Sequence, residues 1–333
     1  MFYVLELIIM LGVILLASQL FTNALEHFAH RAGISTGVTG SILAAVATAL
    51  PEATVPLVAV IAGTKDSRIN QDIAVGAILG APLMLSTLSI FLMSLFALKH
   101  RGIKSHIVPE NSGLKRDLNF FLGAFLLAVF AMILPFDPLY FRALISIALV
   151  SLYVFYIFLT LKSSKKLVAE GHSVTLDESL LLSKMGLKES KIAIAIQLMI
   201  GVALLILGAK GFVSGVEGIS TLFQVSALLV SLLIIPVATE LPEKINSILW
   251  VLKRKDTLAV GNITGAMVFQ GTLLPALGVF FIPWQPNKIV LSGIVITLIA
   301  AAWLRLNAVK QGLSIAALLI NGLLYLAYAY LVL

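Results

Sequence analysis

The sequence predicts an all-α integral membrane protein of about ten transmembrane helices, arranged as two inverted-topology five-helix repeats. Three observations predict this: the apolar content, the length of the apolar runs, and an internal repeat. Of 333 residues, 60% are apolar and 12% charged, and the mean hydropathy is +1.06. A soluble domain carries about 25% charged residues. At about 20 apolar residues per span, roughly 200 apolar residues supply about ten helices. This composition excludes a soluble enzyme, a disordered chain and a nucleic-acid-binding domain. No nucleic-acid partner is therefore expected, although the net charge is +7. The chain has no cysteine, which removes disulfides, thiolate metal sites and thiol redox chemistry.

The apolar runs are 2–21, 34–63, 73–98, 118–136, 139–161, 192–213, 222–252, 258–283, 289–304 and 312–332. The first has no basic segment before it and no small-residue cleavage pattern, so it reads as a spanning helix rather than a removed leader. Strands are not needed anywhere. Residues 1–161 form the first five-helix repeat and 192–333 the second. Between them, 162–191 is a polar linker with a short helical piece around Asp177–Met185. Seventeen Lys and Arg fall in the odd-numbered loops, whereas the even loops hold only Lys65, Arg68, Arg142 and Lys288. The positive-inside rule then puts the odd loops and the linker in the cytoplasm and both termini outside. A prokaryotic inner membrane is the expected location. Basic loops meet anionic lipid there, and oligomeric state is left open, a monomer included.

The repeat is read directly. Phe21–Glu52 aligns with Phe212–Glu243 at a constant offset, pairing Glu26 with Glu217 and Ser35 with Ser226. Val46-Ala47-Thr48 pairs with Val237-Ala238-Thr239, and Leu50-Pro51-Glu52 with Leu241-Pro242-Glu243. After a shorter loop, Ala74-Val75-Gly76 and Gly80-Ala81 match Ala259-Val260-Gly261 and Gly265-Ala266. Five spans per half make the copies enter from opposite sides, an architecture of secondary transporters with the ion site where the repeats meet. Packing alone would preserve apolar positions, yet Thr, Pro and Glu are what survive.

Each proline is expected inside a long helix, where it removes one hydrogen bond. The freed acceptors are the carbonyls of Ala47 and Ala238, and in lipid they need partners. One residue later stands Glu52 or Glu243. An acid within a span costs about 2.5–3.5 kcal/mol on insertion scales and marks a functional site by default. With the hydroxyls of Thr48 and Thr239 these groups are all oxygen ligands. Such a set suits a hard cation, and Ca²⁺ takes about 6–8 oxygens. Zinc and copper call for His or Cys, which the spans lack.

This pattern resembles the α-repeats of the cation/calcium exchanger superfamily, whose prokaryotic members carry Gly-Thr-Ser-Leu-Pro-Glu followed by Gly-Asn-x-x-Gly-Ser-Asn. The resemblance extends over both repeats. It implies five-plus-five inverted repeats, outside termini, and exchange of Ca²⁺ for Na⁺, K⁺ or H⁺ by alternating access. It also implies that Glu52 and Glu243 are the central ligands, supported by Thr48, Thr239 and the carbonyls of Ala47 and Ala238. No cofactor follows from it; Ca²⁺ and a counter-cation, Na⁺ or H⁺, are the transported partners.

Departures from the family pattern bear on ion choice. Its serine is replaced by Ala49 and Glu240, and its Gly-Ser-Asn by Gly80-Ala81-Pro82 and Gly265-Ala266-Met267. Gly-Asn survives once, as Gly261-Asn262, against Gly76-Ala77. Those losses weaken the case for several sodium sites and leave Asn262 as the best additional ligand. Glu240 and Lys244 are spaced i, i+4 on one helix face. Either they pair with each other, the favoured reading, leaving Glu52 and Glu243 for a divalent ion, or Lys244 is a tethered cation in a position where, by the resemblance, relatives bind Na⁺; Glu240 is kept among the candidate metal residues. Proton coupling is attractive, because burial disfavours a charged carboxylate and lets a glutamate carry the proton.

Weaker candidates are Thr264 and Gln270, together with Ser86 and Thr87, which can bond back to their own helix. His27 and His30 are read as a solvated or interfacial pair in the first loop. Glu26 and Glu217 are read equally as gates or as helix N-terminal or interfacial groups, and Lys210 is expected to snorkel. An enzyme is not expected, since no reactive constellation stands in the spans. A channel fits an inverted repeat poorly. The competing readings are an antiporter for another divalent or monovalent cation, and a degenerate, non-transporting cation sensor.

Overall fold

The computed structural model describes residues 2–31, 50–132, 134, 139–169, 179–184, 186, 188–282 and 286–332. The described residues are helical almost throughout. In chain order the first half comprises α1 (Phe2–Arg31), α2 (Leu50–Ala62), α3 (Ser67–Met84), a π turn (Leu85–Ser89), α4 (Ile90–Arg101), α5 (Asn111–Ala131) and α6 (Leu139–Ala169). The second comprises α7 (Leu181–Lys184), α8 (Lys191–Phe223), α9 (Ala227–Leu233), α10 (Ile235–Thr239), α11 (Leu241–Leu252), α12 (Asp256–Phe281), α13 (Lys288–Asn307) and α14 (Ile315–Val332). Among the described residues, seven helical stretches are long and apolar enough to cross a membrane. Their number and apolarity are those of an integral membrane protein.

Local chemistry sets the boundaries. Asp66 caps α3 by accepting from the Arg68 and Ile69 amides, and Glu110 caps α5 through Ser112 and Gly113. Burial pushes the Glu110 carboxyl up, but those hydrogen bonds and the Arg116 charge outweigh it and hold the group below its ordinary range. Ser190 caps α8, which ends at Gln224 in the left-handed region (φ 54°).

Three sequence expectations are corrected. The run 222–252 is not one helix, because its chain breaks at Ile234 and Glu240. Pro236 and Pro242 lack the N–H groups that would carry an α-helix through. Pro242 therefore sits at the start of α11 rather than inside a continuous helix. Second, two short strands do exist: β1 (His106–Ile107) pairs antiparallel with β2 (Leu313–Ser314). Two-residue strands are too short to show alternation. Third, α1 continues through His27 as far as Arg31. The His27 side chain is buried and lies 3.1 Å from Glu189 Oε1, so it is neither solvated nor in a loop. Of run 34–63, residues 34–49 lie outside the described residues. Among the described residues of the linker, α6 runs on as far as Ala169 and the short helical piece is α7, pinned by bonds from the Leu181 and Leu182 amides to Asn23 and Gln197.

The stretch Ser67–Arg101 and helix α12 are the most buried long helices and form the centre. α6 packs on α12, α14 packs on α4, and α1 lies against α8; these three outer helices expose Leu5, Ile9, Leu144, Phe158, Leu323 and Leu326, a lipid-facing surface. Small residues close the packing. A Cβ on Gly76 would lie 2.6 Å from Ser231 Cβ, and one on Gly80 would lie 2.5 Å from the Leu232 carbonyl oxygen. α3 thus meets the backbone of α9 directly. On α8, Gly208 and Gly215 let α1 approach at Ile14 and Leu7.

Polar ties gather the loops at two ends of the bundle. At one end Arg101 grips Asp256 with two bonds (2.7 and 2.8 Å), Asp256 also accepts from the Val108 amide, β1 pairs with β2, and Arg305 donates to Asn119. At the other, the Arg142 guanidinium donates to the Ile282 carbonyl.

Candidate functional site

The two motifs meet in the bundle interior. Glu52 stands in the first turn of α2 and Glu243 in that of α11. Glu240 occupies the break between α10 and α11 (φ −89°, ψ 9°). Around that break the backbone keeps turning, since the Glu240 amide donates to the Pro236 carbonyl (3.2 Å) and the Lys244 amide to the Glu240 carbonyl (3.1 Å). All four charged side chains are buried, from 0% exposed for Glu240 to 4% for Lys244. Glu52 lies within electrostatic reach of Glu243, Glu240 and Lys244.

Their hydrogen bonds differ. Neither carboxylate oxygen of Glu52 is hydrogen-bonded to another described residue. Glu240 is held from two sides, by Gln270 Nε2 on α12 (3.3 Å) and by Lys244 Nζ (3.4 Å). The i, i+4 pair read in the sequence is therefore formed. Lys244 Nζ also donates to the Pro236 carbonyl at 3.0 Å. Thr239 donates its hydroxyl to the Ile235 carbonyl (3.1 Å) and retains its lone pairs as acceptors. Asn262 donates to the Glu243 carbonyl (3.1 Å) and to Ser247 Oγ (3.0 Å), so α12 fixes the start of α11. Its amide oxygen is what it can offer a cation.

Ala238 lies in α10, and its carbonyl is the one for which Pro242 has no N–H. Thr48 and Ala47 lie outside the described residues. Among those described, no three His, Asp or Glu side chains form a closed metal cage. The acids are near one another without being locked around a point, and the remaining oxygens would come from hydroxyls and main chain.

Several partners escape a sequence reading. Ser247 is fully buried beneath Asn262, and Tyr325 of α14 lies within electrostatic reach of Glu240. Pro236, six residues before Pro242, is the one visible sign that the helix breaks twice. Another buried acid, Asp117, accepts from Thr264 Oγ1 (2.7 Å) and the Tyr156 hydroxyl (3.1 Å). Asp117 looks like the end of a polar loop until α5, α6 and α12 converge on it. Thr264 is thus committed to Asp117, and Ser86 and Thr87 bond back to the Leu83 carbonyl as expected.

The family model "Sodium/calcium exchanger protein" matches residues 2–162 and 193–333. The putative antiporter CaxA of Alkalimonas amylolytica is 42% identical over 82 residues, which cover a quarter of this chain and a quarter of that relative. The inner membrane protein YrbG of Escherichia coli (strain K12) is 26% identical over 307 residues, 90% of this chain and 87% of YrbG. Among solved structures, the H⁺/Ca²⁺ exchanger CAX superposes with a TM-score of 0.73 at 17% identity, covering 99% of this chain and 85% of CAX. The sodium-calcium exchanger NCX_Mj does so with a TM-score of 0.60 at 19% identity, over 99% and 98%. At such identities the structures establish the fold, and the family match over both halves establishes descent. The chain belongs to the sodium/calcium exchanger family, a family of membrane exchangers rather than of catalytic enzymes.

Proposed function

We propose that the protein is a secondary active antiporter that exchanges Ca²⁺ for Na⁺ or H⁺ by alternating access. The carrying observation is Glu52, a buried carboxylate with no hydrogen bond to another described residue, facing the acids of the other motif. A permanent structural acid in a membrane would be paired or hydrogen-bonded. Glu52 and Glu243 are the central Ca²⁺ ligands. Thr48, Thr239 and the carbonyls of Ala47 and Ala238 complete the shell, with Asn262 at its edge. Glu240 acts beside the site through Lys244. Fully ionised, three carboxylates and one ammonium leave two negative charges, matching one divalent cation. A set that is not a closed cage suits an ion that must enter and leave.

The same reading includes ten spans in two inverted repeats, 1–161 and 192–333, joined by a cytoplasmic linker at 162–191. Both termini face outward from the inner membrane. The grouping of odd loops at one end of the bundle and even loops at the other supports this alternation. The test is radiolabelled Ca²⁺ uptake into proteoliposomes under separately imposed Na⁺ and H⁺ gradients. Wild type takes up Ca²⁺ under one of them, and Glu52→Gln lowers uptake at least about a hundredfold, the loss of a principal charged ligand. Equal uptake by Glu52→Gln removes the site, and no uptake under either gradient removes the calcium reading.

A further inference from the structure

Lys244 is difficult to explain as a stabilising residue. It stands in the first turn of α11, where the helix dipole repels a cation. Its side chain is buried, and a buried Lys–Glu pair is often no more stable than two apolar residues of similar size. The aligned positions of the first half are Ala49 and Ala53, so the pair is present as a unit in one half only.

What surrounds the ammonium is informative. Nζ reaches back across the break at Glu240 to the Pro236 carbonyl and contacts Glu240 Oε2. The other Glu240 oxygen is steadied by Gln270. A main-chain carbonyl in a broken membrane helix beside a carboxylate is a ligand set that transporters present to Na⁺. The charge at that place here is covalently attached.

We propose that Lys244 is a built-in monovalent cation, occupying a cation site formed by the Pro236 carbonyl and the Glu240 carboxylate. The inference rests on the antiporter reading and adds to it. One monovalent position of the exchange site is permanently filled, so the Glu240 charge is cancelled without a transported ion. Glu52 and Glu243 remain to bind a divalent cation, and Na⁺ is excluded from that position in every state of the cycle.

The experiment counts bound ²²Na⁺ at equilibrium on the purified full-length protein, with choline as the replacement cation. Lys244→Met removes the ammonium and leaves the carbonyl and carboxylate. It is expected to bind about one more Na⁺ per chain than wild type. The double variant Glu240→Gln with Lys244→Met removes both charges and returns the count to that of wild type. An unchanged count in Lys244→Met overturns the proposal, as does an additional ion that survives in the double variant.

Thermal melting in sodium chloride against choline chloride provides a second readout should Lys244→Met be weakly folded. Sodium raises its midpoint more than that of wild type if the proposal holds; equal responses overturn it. Wild-type ⁴⁵Ca²⁺ uptake, measured in parallel, separates the two claims. Absent uptake with a raised sodium count in Lys244→Met removes the calcium reading and keeps the tethered cation. Intact uptake with an unchanged count does the reverse.

Discussion

Among individual residues, the acids of this protein divide by how they are satisfied. Asp117 is buried and accepts two hydroxyl donors, from Thr264 and Tyr156, whereas Glu52 has none from another described residue. The first arrangement is that of a structural group. Asp117→Ala would strand two buried hydroxyls, at about 1–3 kcal/mol each, and should lower the thermal midpoint markedly in detergent. Glu52→Gln should leave that midpoint nearly unchanged while removing transport. Melting curves of the two variants side by side check the division, and a stable Asp117→Ala would refute it. The motif acids were legible in the sequence because an acid after a proline in an apolar run is rare. Asp117 was not, because its partners are 39 and 147 residues away. The tie between His27 and Glu189 was hidden for the same reason.

For whole elements, glycine placement decides how closely helices pack. At Gly80 an added Cβ would lie 2.5 Å from the Leu232 carbonyl, and backbone cannot move aside cheaply. Gly80→Ala should cost about 1–3 kcal/mol through overpacking of α3 on α9. Gly123 faces open space on α5, and Gly123→Ala there should be neutral or stabilising by up to about 1 kcal/mol. Chemical denaturation of the two variants measures the difference, and equal stabilities would show that the α3–α9 approach is not tight. The existence of the long helices was readable from the apolar runs, but their lengths were not, since α1, α6 and α8 continue past their runs to Arg31, Ala169 and Phe223 on polar and charged residues. The subdivision into α9, α10 and α11 was not, because two prolines six residues apart and one glutamate interrupt a run that remains apolar throughout. Strand β1 was invisible, since its pairing with β2 joins His106 to Ser314 and Ile107 to Leu313, far apart in the chain.

Taken as a whole, the molecule is held by ties that cross from one half to the other, such as Arg101 with Asp256 and Arg142 with Ile282. Those ties sort the loops into two groups, and in the orientation proposed above the group richer in basic residues faces the cytoplasm. The chain contains no cysteine, so each introduced thiol is unique. Lys65→Cys should react with an impermeant maleimide in intact cells, and Lys104→Cys only after the membrane is opened. The reverse pattern would overturn the orientation.

The π turn at Leu85–Ser89 has an effect on geometry beyond its own five residues. Asn321 of α14 holds the Ser86 carbonyl at 2.7 Å, which gives a main-chain group in that wide turn a fixed partner. One residue is inserted with almost no added rise, so everything after Ser89 is turned by roughly 100°, the angular step of one helical residue. The buried stripe Ile90, Met93, Ser94 and Ala97 is therefore set by this turn and not by the phase of Gly76 and Gly80. The longest central rod of the protein works as two gears on one shaft, each cut to mesh with a different neighbour.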